Sequence, residues 1–347
     1  MDEELLLNER EHGVLETVVR HYILNAEPTG SRFVSRQGGF DLSPASIRNI
    51  MFDLEEKGFI AQPHTSAGRV PTDKGYRYYV NRLMKLIELP AETRTQIRSL
   101  LTAVEPGDLH LVMETASRAL SRATNQLGII LSPQLKTAIF RHVDIFPIAH
   151  NRFQMNLTVD SGFVKTMVIE METAADSTRF DTACAHINQR FYGKTLADMC
   201  TGEVEGFGDL HEVELGVIRL LVPSIKRMIV ENNRAEVYAE GTANIMLQPE
   251  FFNREQVSAV FELLEEKQML MHLFETHETE SGTVVISIGG ENVDGQLKSF
   301  SVVKTNYRVG NMEGSLGVIG PTRMPYPMLV SAVDYTAKVL GELYSQS

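Results

Sequence analysis

Arg48 and Asn49 are neighbours in the sequence, and their side chains are well suited to reading purines in DNA. An arginine guanidinium donates two hydrogen bonds to O6 and N7 of guanine, and an asparagine amide pairs with N6 and N7 of adenine. Ala45, three residues earlier, could contact a thymine methyl group. Together these residues predict a helix that enters the major groove. The alternative is an ordinary solvent-exposed helix with one arginine and one asparagine, which these residues alone would favour.

The helix that carries them is predicted to begin at Ser43-Pro44 and to end at Gly58. Serine caps a helix N-terminus, proline fits the first turn, and glycine commonly follows the last turn. Four apolar residues have the spacing of one buried helical face: Ile47, Ile50, Met51 and Leu54. The opposite arc holds Ala45, Arg48, Asn49, Phe52 and Asp53, with Ser46 at its edge. Arg48 and Asn49 therefore project from the first two turns, the part of a recognition helix that enters the groove.

Two further helices are predicted before this one. Asn8 and Glu11 have the spacing of a capping box, in which each side chain bonds the backbone of the other residue, and an apolar stripe follows them. Gly30 helps to end that helix. Ser31 is expected to cap a short second helix that stops at Gly38.

A strand, a turn and a second strand are predicted at residues 59–63, 64–68 and 69–71. Three helices followed by such a hairpin predict a winged helix-turn-helix, with the turn at the wing tip. Arg32, Arg36, Lys74 and Arg77 are candidate phosphate contacts, which set position without reading sequence. The predicted DNA-binding residues are Arg32, Ser43, Ala45, Ser46, Arg48, Asn49, His64, Ser66 and Arg69.

The charge distribution permits a DNA partner although the chain as a whole is acidic. The net charge is −12, from 33 basic and 45 acidic residues. Residues 30–85 hold nine basic and five acidic residues, a surplus of four positive charges. DNA affinity depends on the field at the contact surface, so the acidic remainder does not exclude nucleic-acid binding.

Beyond about residue 108 the pattern changes to mixed helix and strand. Strands are predicted at residues 128–131, 138–146, 154–159 and 164–170, then mainly helix over 174–275, with strands again at 283–289, 300–307 and 314–320. Helices are predicted near 109–127 and 327–344. This order predicts the α+β class, a sheet domain with a helical insertion.

Several kinds of chemistry lack a pattern in the sequence. Two cysteines, Cys184 and Cys200, make neither a disulfide framework nor a zinc site. His272 and His277 lack the spacing of a metalloprotease motif. We expect no catalytic residues, no metal and no cofactor. Because we find no membrane-length apolar segment and no basic secretory start, we expect a cytoplasmic protein without a membrane partner.

Long motifs at both ends of the chain resemble one known family. The N-terminal run contains EPTGSRF, LSPASIRN and QPHTSAGRVPT, and the C-terminal run is GSLGVIGPTRMPYPMLVSAVDY. Both are similar to the heat-inducible transcription repressor family, HrcA. Residues 174–280 are less distinctive.

The resemblance implies a homodimer that represses chaperone operons by binding an inverted-repeat operator in double-stranded DNA, with activity maintained by a GroEL-type chaperonin. It implies a winged helix-turn-helix at 1–88, a linker helix at 89–107, a GAF-like domain at 108–185 and 279–347, and an inserted dimerisation domain at 186–278. One alternative is a regulator controlled by a small molecule bound in the GAF-like domain. An enzyme with an attached winged helix is disfavoured because no catalytic set is visible.

Overall fold

The computed structural model describes residues 7–39, 41–64, 67–105, 108–160, 162–170, 177–201, 212–231, 236–252, 254–274, 282–292 and 295–345. These residues form a mixed structure of helices and antiparallel sheets, so the predicted α+β class is confirmed. Among the described residues, no helix combines the length and the apolar character that crossing a membrane requires. His277 lies outside the described residues.

Residues 7–83, which we call the N-terminal module, contain four helices and a short hairpin. Their bounds are α1 Glu9–Asn25, α2 Ser31–Gln37, α3 Pro44–Glu56, β1 Ile60–Ala61, β2 Val70–Pro71 and α4 Asp73–Tyr78, which a π-helical turn continues over Tyr79–Leu83. β1 and β2 pair in antiparallel register, and an isolated bridge joins Thr29 to Arg69. The predicted order of three helices and a hairpin is therefore present.

Local signals in the sequence account for the helix starts. The side chain of Asn8 accepts hydrogen bonds from the N–H groups of Arg10 and Glu11, and the N–H of Asn8 donates to Glu11 Oε2 at 2.9 Å. The predicted capping box is thus confirmed. The prediction that Ser31 caps α2 is wrong, because the helix begins at Ser31 and the cap is Gly30 without a side-chain bond.

The remaining elements follow in chain order. They are α5 Ala91–Thr102, α6 Leu109–Thr124, β3 Leu127–Leu131, β4 Phe140–Ala149, β5 Arg152–Val159, β6 Val164–Glu170, α7 Ser177–Phe191, α8 Leu196–Thr201, α9 Glu212–Glu231, β7 Val237–Glu240, α10 Thr242–Met246, α11 Arg254–Glu265, α12 Lys267–Phe274, β8 Val285–Ile288, β9 Phe300–Val309, β10 Met312–Pro321 and α13 Tyr326–Ser345.

An antiparallel five-stranded sheet with the order β7-β3-β10-β9-β8 forms the centre of the molecule. Helices α5, α6 and α13 pack together against one face, and the other face is covered by apolar residues from α10, α11 and α12. Side chains alternate between the two faces, as a strand requires: Ile129 faces the second layer, whereas Ile130 belongs to the core of the first. Both faces are therefore buried, which explains the nearly continuous apolar runs of β3 and β10.

The part of the chain that lies between β3 and β7 in the sequence forms a second sheet. It has the order β4-β5-β6, and α7 packs on β4 and α9. The strands predicted at 154–159 and 164–170 are confirmed, and they pair in antiparallel register with Thr158 opposite Val164 and Arg152 opposite Glu170. The strands of the second sheet do not pair with the five-stranded sheet. The predicted domain limits stay a prediction, and the pairing shows that the chain leaves the central sheet after Leu131 and rejoins it at Val237, directly opposite.

The prediction of mainly helix over 174–275 missed β7. Its four residues, Val-Tyr-Ala-Glu, pair with β3 in antiparallel register. So short a segment carries too little periodicity to distinguish a strand from part of a helix.

Candidate nucleic-acid interface

Helix α3 is anchored by one face and exposed on the other. Its N-cap is Ser43, whose Oγ accepts from the N–H of Ser46 at 3.1 Å, and Pro44 occupies the first turn, as predicted. Ile47 and Leu54 are fully buried against α1 and α2. The burial of these side chains fixes the rotation of the helix about its axis, so the opposite arc faces solvent.

Three of the predicted DNA-binding residues lie together on this arc. Ala45, Arg48 and Asn49 are exposed. Within the described part of the chain, no hydrogen bond or ion pair engages the side chain of Arg48 or Asn49. Their donors and acceptors are therefore available to an outside partner.

Ser43 and Ser46 stand at the N-terminal end of the same helix. Their hydroxyl oxygens are 3.0 Å apart, and Ser43 also satisfies the N–H of Ser46. Both residues are thus part of the helix cap. A hydroxyl has one donor and two acceptor positions, so each keeps capacity for a further contact.

The predicted wing residues of the hairpin that follows α3 differ in their exposure and in their contacts. His64 is exposed, and Ser66 lies outside the described residues. Arg69 is engaged: its Nε and Nη2 lie 2.9 Å and 2.7 Å from Glu55 Oε2, and its backbone pairs with Thr29. Arg69 thus ties the hairpin to α3 and to the strand-like residue Thr29. A DNA contact by Arg69 stays a prediction, and it would require this ion pair to open.

The candidate phosphate contacts separate into two classes. Arg32 and Arg36 are exposed on α2. Lys74 donates to the carbonyl of Lys57 at 2.8 Å and lies over the Phe59 ring. Lys74 is therefore directed at its own module.

The contacts of Arg77 depart even further from the role of phosphate contact that the sequence suggested. Arg77 binds Glu291 and the carbonyl of Ile286, more than two hundred residues away. Its guanidinium therefore joins the N-terminal module to β8 and the turn that follows it. Spacing along the sequence carries no information about a partner so distant in the chain.

Phe52 lies on the same arc as Asn49, three residues further along α3. Its side chain is 54% exposed, although α3 buries Ile47, Met51 and Leu54. The sequence placed Phe52 on the outer arc without assigning it a role. Its helical spacing from Asn49 was the signal in the sequence that could have added it to the candidate contacts.

Helix α3 is also fixed at its C-terminal end. Lys57, the C-cap, pairs with Glu11, whose side chain is 5% exposed. Burial raises the pKa of Glu11, but hydrogen bonds from Lys57 and from the Asn8 N–H outweigh it, so the pKa lies below its ordinary value. Glu11 is therefore held as a carboxylate between α1 and α3.

Comparison with known proteins identifies the family of the chain. A family model described as the HrcA protein C terminal domain matches residues 110–330. A curated relative from Chlorobium phaeobacteroides (strain BS1), named heat-inducible transcription repressor HrcA, is 36% identical over 98% of this chain and 99% of its own. The chain belongs to the HrcA family.

A second HrcA relative, from Geobacter sulfurreducens, is 35% identical and covers 97% of this chain and 98% of its own. These HrcA relatives are named as repressors of transcription, which is a non-enzymatic role. A crystal structure of a hypothetical protein, determined at 2.2 Å resolution, has a TM-score of 0.62 and 23% identity, covering 98% of this chain and 99% of that one. That likeness concerns the fold alone.

Proposed function

We propose that this HrcA-family chain is a transcription repressor whose N-terminal module is a winged helix-turn-helix that binds a DNA operator. The observation that carries the proposal is the outer arc of α3, where Arg48 and Asn49 are exposed and unengaged within the described residues. Their polar groups face outward, which suits an external polar partner.

Each contact of the module has a proposed role. Arg48 reads a guanine, Asn49 an adenine, and Ala45 approaches a thymine methyl group. Ser43 and Ser46, at the helix N-terminus, together with Arg32, bind phosphates and fix the register of α3 in the groove. His64, Ser66 and, if its ion pair opens, Arg69 would contact DNA from the wing.

The proposal also covers the oligomeric state of the protein, its domains and the regulation of its activity. We infer that the protein acts in the cytoplasm. We also infer that it is a homodimer, because two-fold protein symmetry matches the symmetry of an inverted-repeat operator. The domain division predicted from the sequence, with a GAF-like domain and a dimerising insertion at 186–278, is part of this proposal. The family resemblance supports operators upstream of chaperone operons, relief on heat stress and activity maintained by a GroEL-type chaperonin.

Gel-shift titration of the purified protein tests operator reading. The probes are the inverted repeat upstream of a chaperone operon and a random duplex of equal length. Arg48→Ala should weaken operator binding by about 1–3 kcal/mol and leave random-duplex binding nearly unchanged. Arg94→Ala, at an exposed position of α5, is the matched control. Equal losses on both duplexes would make Arg48 a phosphate contact only.

A cavity between the two sheets supports a second candidate, control by a small molecule. Its volume is about 430 Å³, and its lining includes the apolar residues Leu157 and Phe163. On its polar side, His110 Nδ1 lies 3.0 Å from the Tyr238 hydroxyl, which donates to Glu236 at 2.7 Å. Apolar walls with a few connected polar groups are typical of ligand pockets.

Operator affinity measured with and without a low-molecular-mass cell extract tests this candidate. A response that Leu157→Trp abolishes, by filling the cavity, would support small-molecule control. An operator affinity that the extract leaves unchanged would count against it.

A further inference from the structure

Helix α4 connects the N-terminal module to the central sheet domain. Arg77 Nε donates to Glu291 Oε1 at 2.8 Å, and Arg77 Nη2 donates to the carbonyl of Ile286 at 2.7 Å and also to Glu291 Oε2. One turn earlier, Asp73 Oδ2 accepts from the N–H of Gly290 at 2.9 Å. Residues 286–291 thus bind the acidic residue of α4 and one of its two basic residues at once.

The fit at this contact is close. A Cβ at Gly289 would overlap the carboxylate of Asp73, and the φ of Gly289 is +52°. A second contact joins the module to the segment between β10 and α13, where Arg323 Nη1 donates to the carbonyl of Ile23 at 2.7 Å, in the last turn of α1. The side chain of Arg323 is only 10% exposed and is also paired with Glu250. The module is therefore held through α1 as well as through α4.

Helix α4 is in turn rigidly joined to the end of α3. Thr72, the N-cap of α4, donates from its hydroxyl to the carbonyl of Gly58 at 2.6 Å, and Lys74 donates to the carbonyl of Lys57 at 2.8 Å. A Cβ at Gly75 would overlap the carbonyl of Phe59, so the two backbones are in direct contact. Fixing α4 on the sheet domain consequently fixes the direction of α3.

We propose that the contacts of Asp73 and Arg77 with residues 286–291 position α3 relative to the sheet domain and thereby set the separation of operator half-sites that the protein accepts. The inference rests on the proposed function, in which two copies of α3 in a dimer bind the two halves of an inverted repeat. Two recognition helices bind together only when their separation matches the half-site spacing along the DNA. Arg77 and Asp73 are positioning residues, since they act on the DNA through α3.

The test compares operators whose half-sites are moved apart or together by one to several base pairs with a single half-site. The proteins are the full-length chain, Arg77→Ala and Glu291→Gln. The second variant keeps the shape of residue 291 but removes its charge. Arg308→Ala removes the exposed Arg308–Glu313 pair on β9 and β10 and serves as the matched control.

The unaltered protein and the control should bind one spacing best. Arg77→Ala and Glu291→Gln should each lose about 5- to 10-fold of that preference while their affinity for the single half-site stays unchanged. A module that is merely destabilised would instead lose half-site affinity together with spacing preference, which would overturn the inference. An unchanged spacing profile in either folded variant would also overturn it.

The same binding measurements distinguish a failure of this inference from a failure of the proposed function. If the unaltered protein binds no operator, the proposed function fails. If it binds the operator but accepts all spacings equally, operator recognition stands and the positioning role of Asp73 and Arg77 is refuted.

Discussion

Lys57 Nζ lies 2.5 Å from Glu11 Oε1, so the C-cap of α3 is ion-paired with the first turn of α1. The two residues are 46 positions apart, and the Glu11 side chain is almost fully buried. This pair holds the end of the helix that carries Arg48 and Asn49. Its strength therefore affects how firmly the outer arc is oriented.

Glu11→Gln should lower the stability of the N-terminal module by about 1–2 kcal/mol, because it removes a charged hydrogen bond at a buried site. The folded pKa of Glu11 lies below its ordinary value of 4.5. Its contribution is therefore present above pH 4.5 and is lost as the pH falls through the lower, folded pKa. Urea unfolding at several pH values should show the difference from the unaltered protein shrinking in acid.

The matched control for that measurement is Glu16→Gln. Glu16 pairs with Arg20 at the solvent-exposed surface of α1, where ion pairs contribute little. Equal losses for the two substitutions would contradict the importance of the Glu11–Lys57 pair.

Gly68→Ala should destabilise the hairpin by about 1–3 kcal/mol, as overpacking does. A Cβ at this position would overlap the backbone of Thr29, which cannot move without breaking its pairing with Arg69. Gly30→Ala is the control, since a Cβ there meets nothing within 4 Å. Thermal unfolding of both variants checks this, and similar midpoints would refute the close approach.

Phosphate contacts should be visible in the salt dependence of operator binding. Arg32→Ala should reduce the slope of log affinity against log salt by about one, because each lost phosphate contact releases about one fewer counterion. Lys74→Ala should leave the slope unchanged, since Lys74 binds a carbonyl of its own module. Gel shifts over a range of salt concentrations supply the slopes, and equal slopes for Arg32→Ala and the unaltered protein would remove Arg32 from the interface.

Phe52→Ala should weaken operator binding by about 1 kcal/mol if the ring covers a thymine methyl group, which is near the free energy of burying one such group. Folding stability should change little, since the side chain is 54% exposed. Phe261→Ala, at a phenylalanine 50% exposed on α11, is the matched control.

The informative duplex for this prediction replaces operator thymines with uracil. The unaltered protein should lose affinity for one replacement, and Phe52→Ala should not respond to that same replacement. If both proteins respond alike, the methyl contact belongs to another residue, such as Ala45.

The sequence predicts α3 and its exposed arc well because the signals are local. The cap at Ser43, the proline after it and the spacing from Ile47 to Leu54 lie within a few residues of one another. The same holds for the capping box of Asn8 and Glu11. Interactions of this range do not depend on how the rest of the chain folds.

The roles of Arg69 and Arg77 could not be predicted in this way. Each is a basic residue near a predicted DNA-binding surface, yet each is paired with a carboxylate brought close by tertiary structure. A sequence motif records which residue is present but not which partner it meets. The membership of β4, β5 and β6 in their own sheet was hidden for the same reason, because an alternating strand pattern does not identify its neighbour.

The departure of the chain at Leu131 and its return at Val237 have an evolutionary consequence. These residues face each other on adjacent antiparallel strands, so everything between them is, in topological terms, an enlarged hairpin turn. Material added or exchanged at such a site leaves the register of the flanking strands intact, which is where domain insertions are best tolerated. The segment can therefore diverge in length and composition while the strands that receive it stay the same, and a short two-residue turn in its place would be compatible with the same sheet.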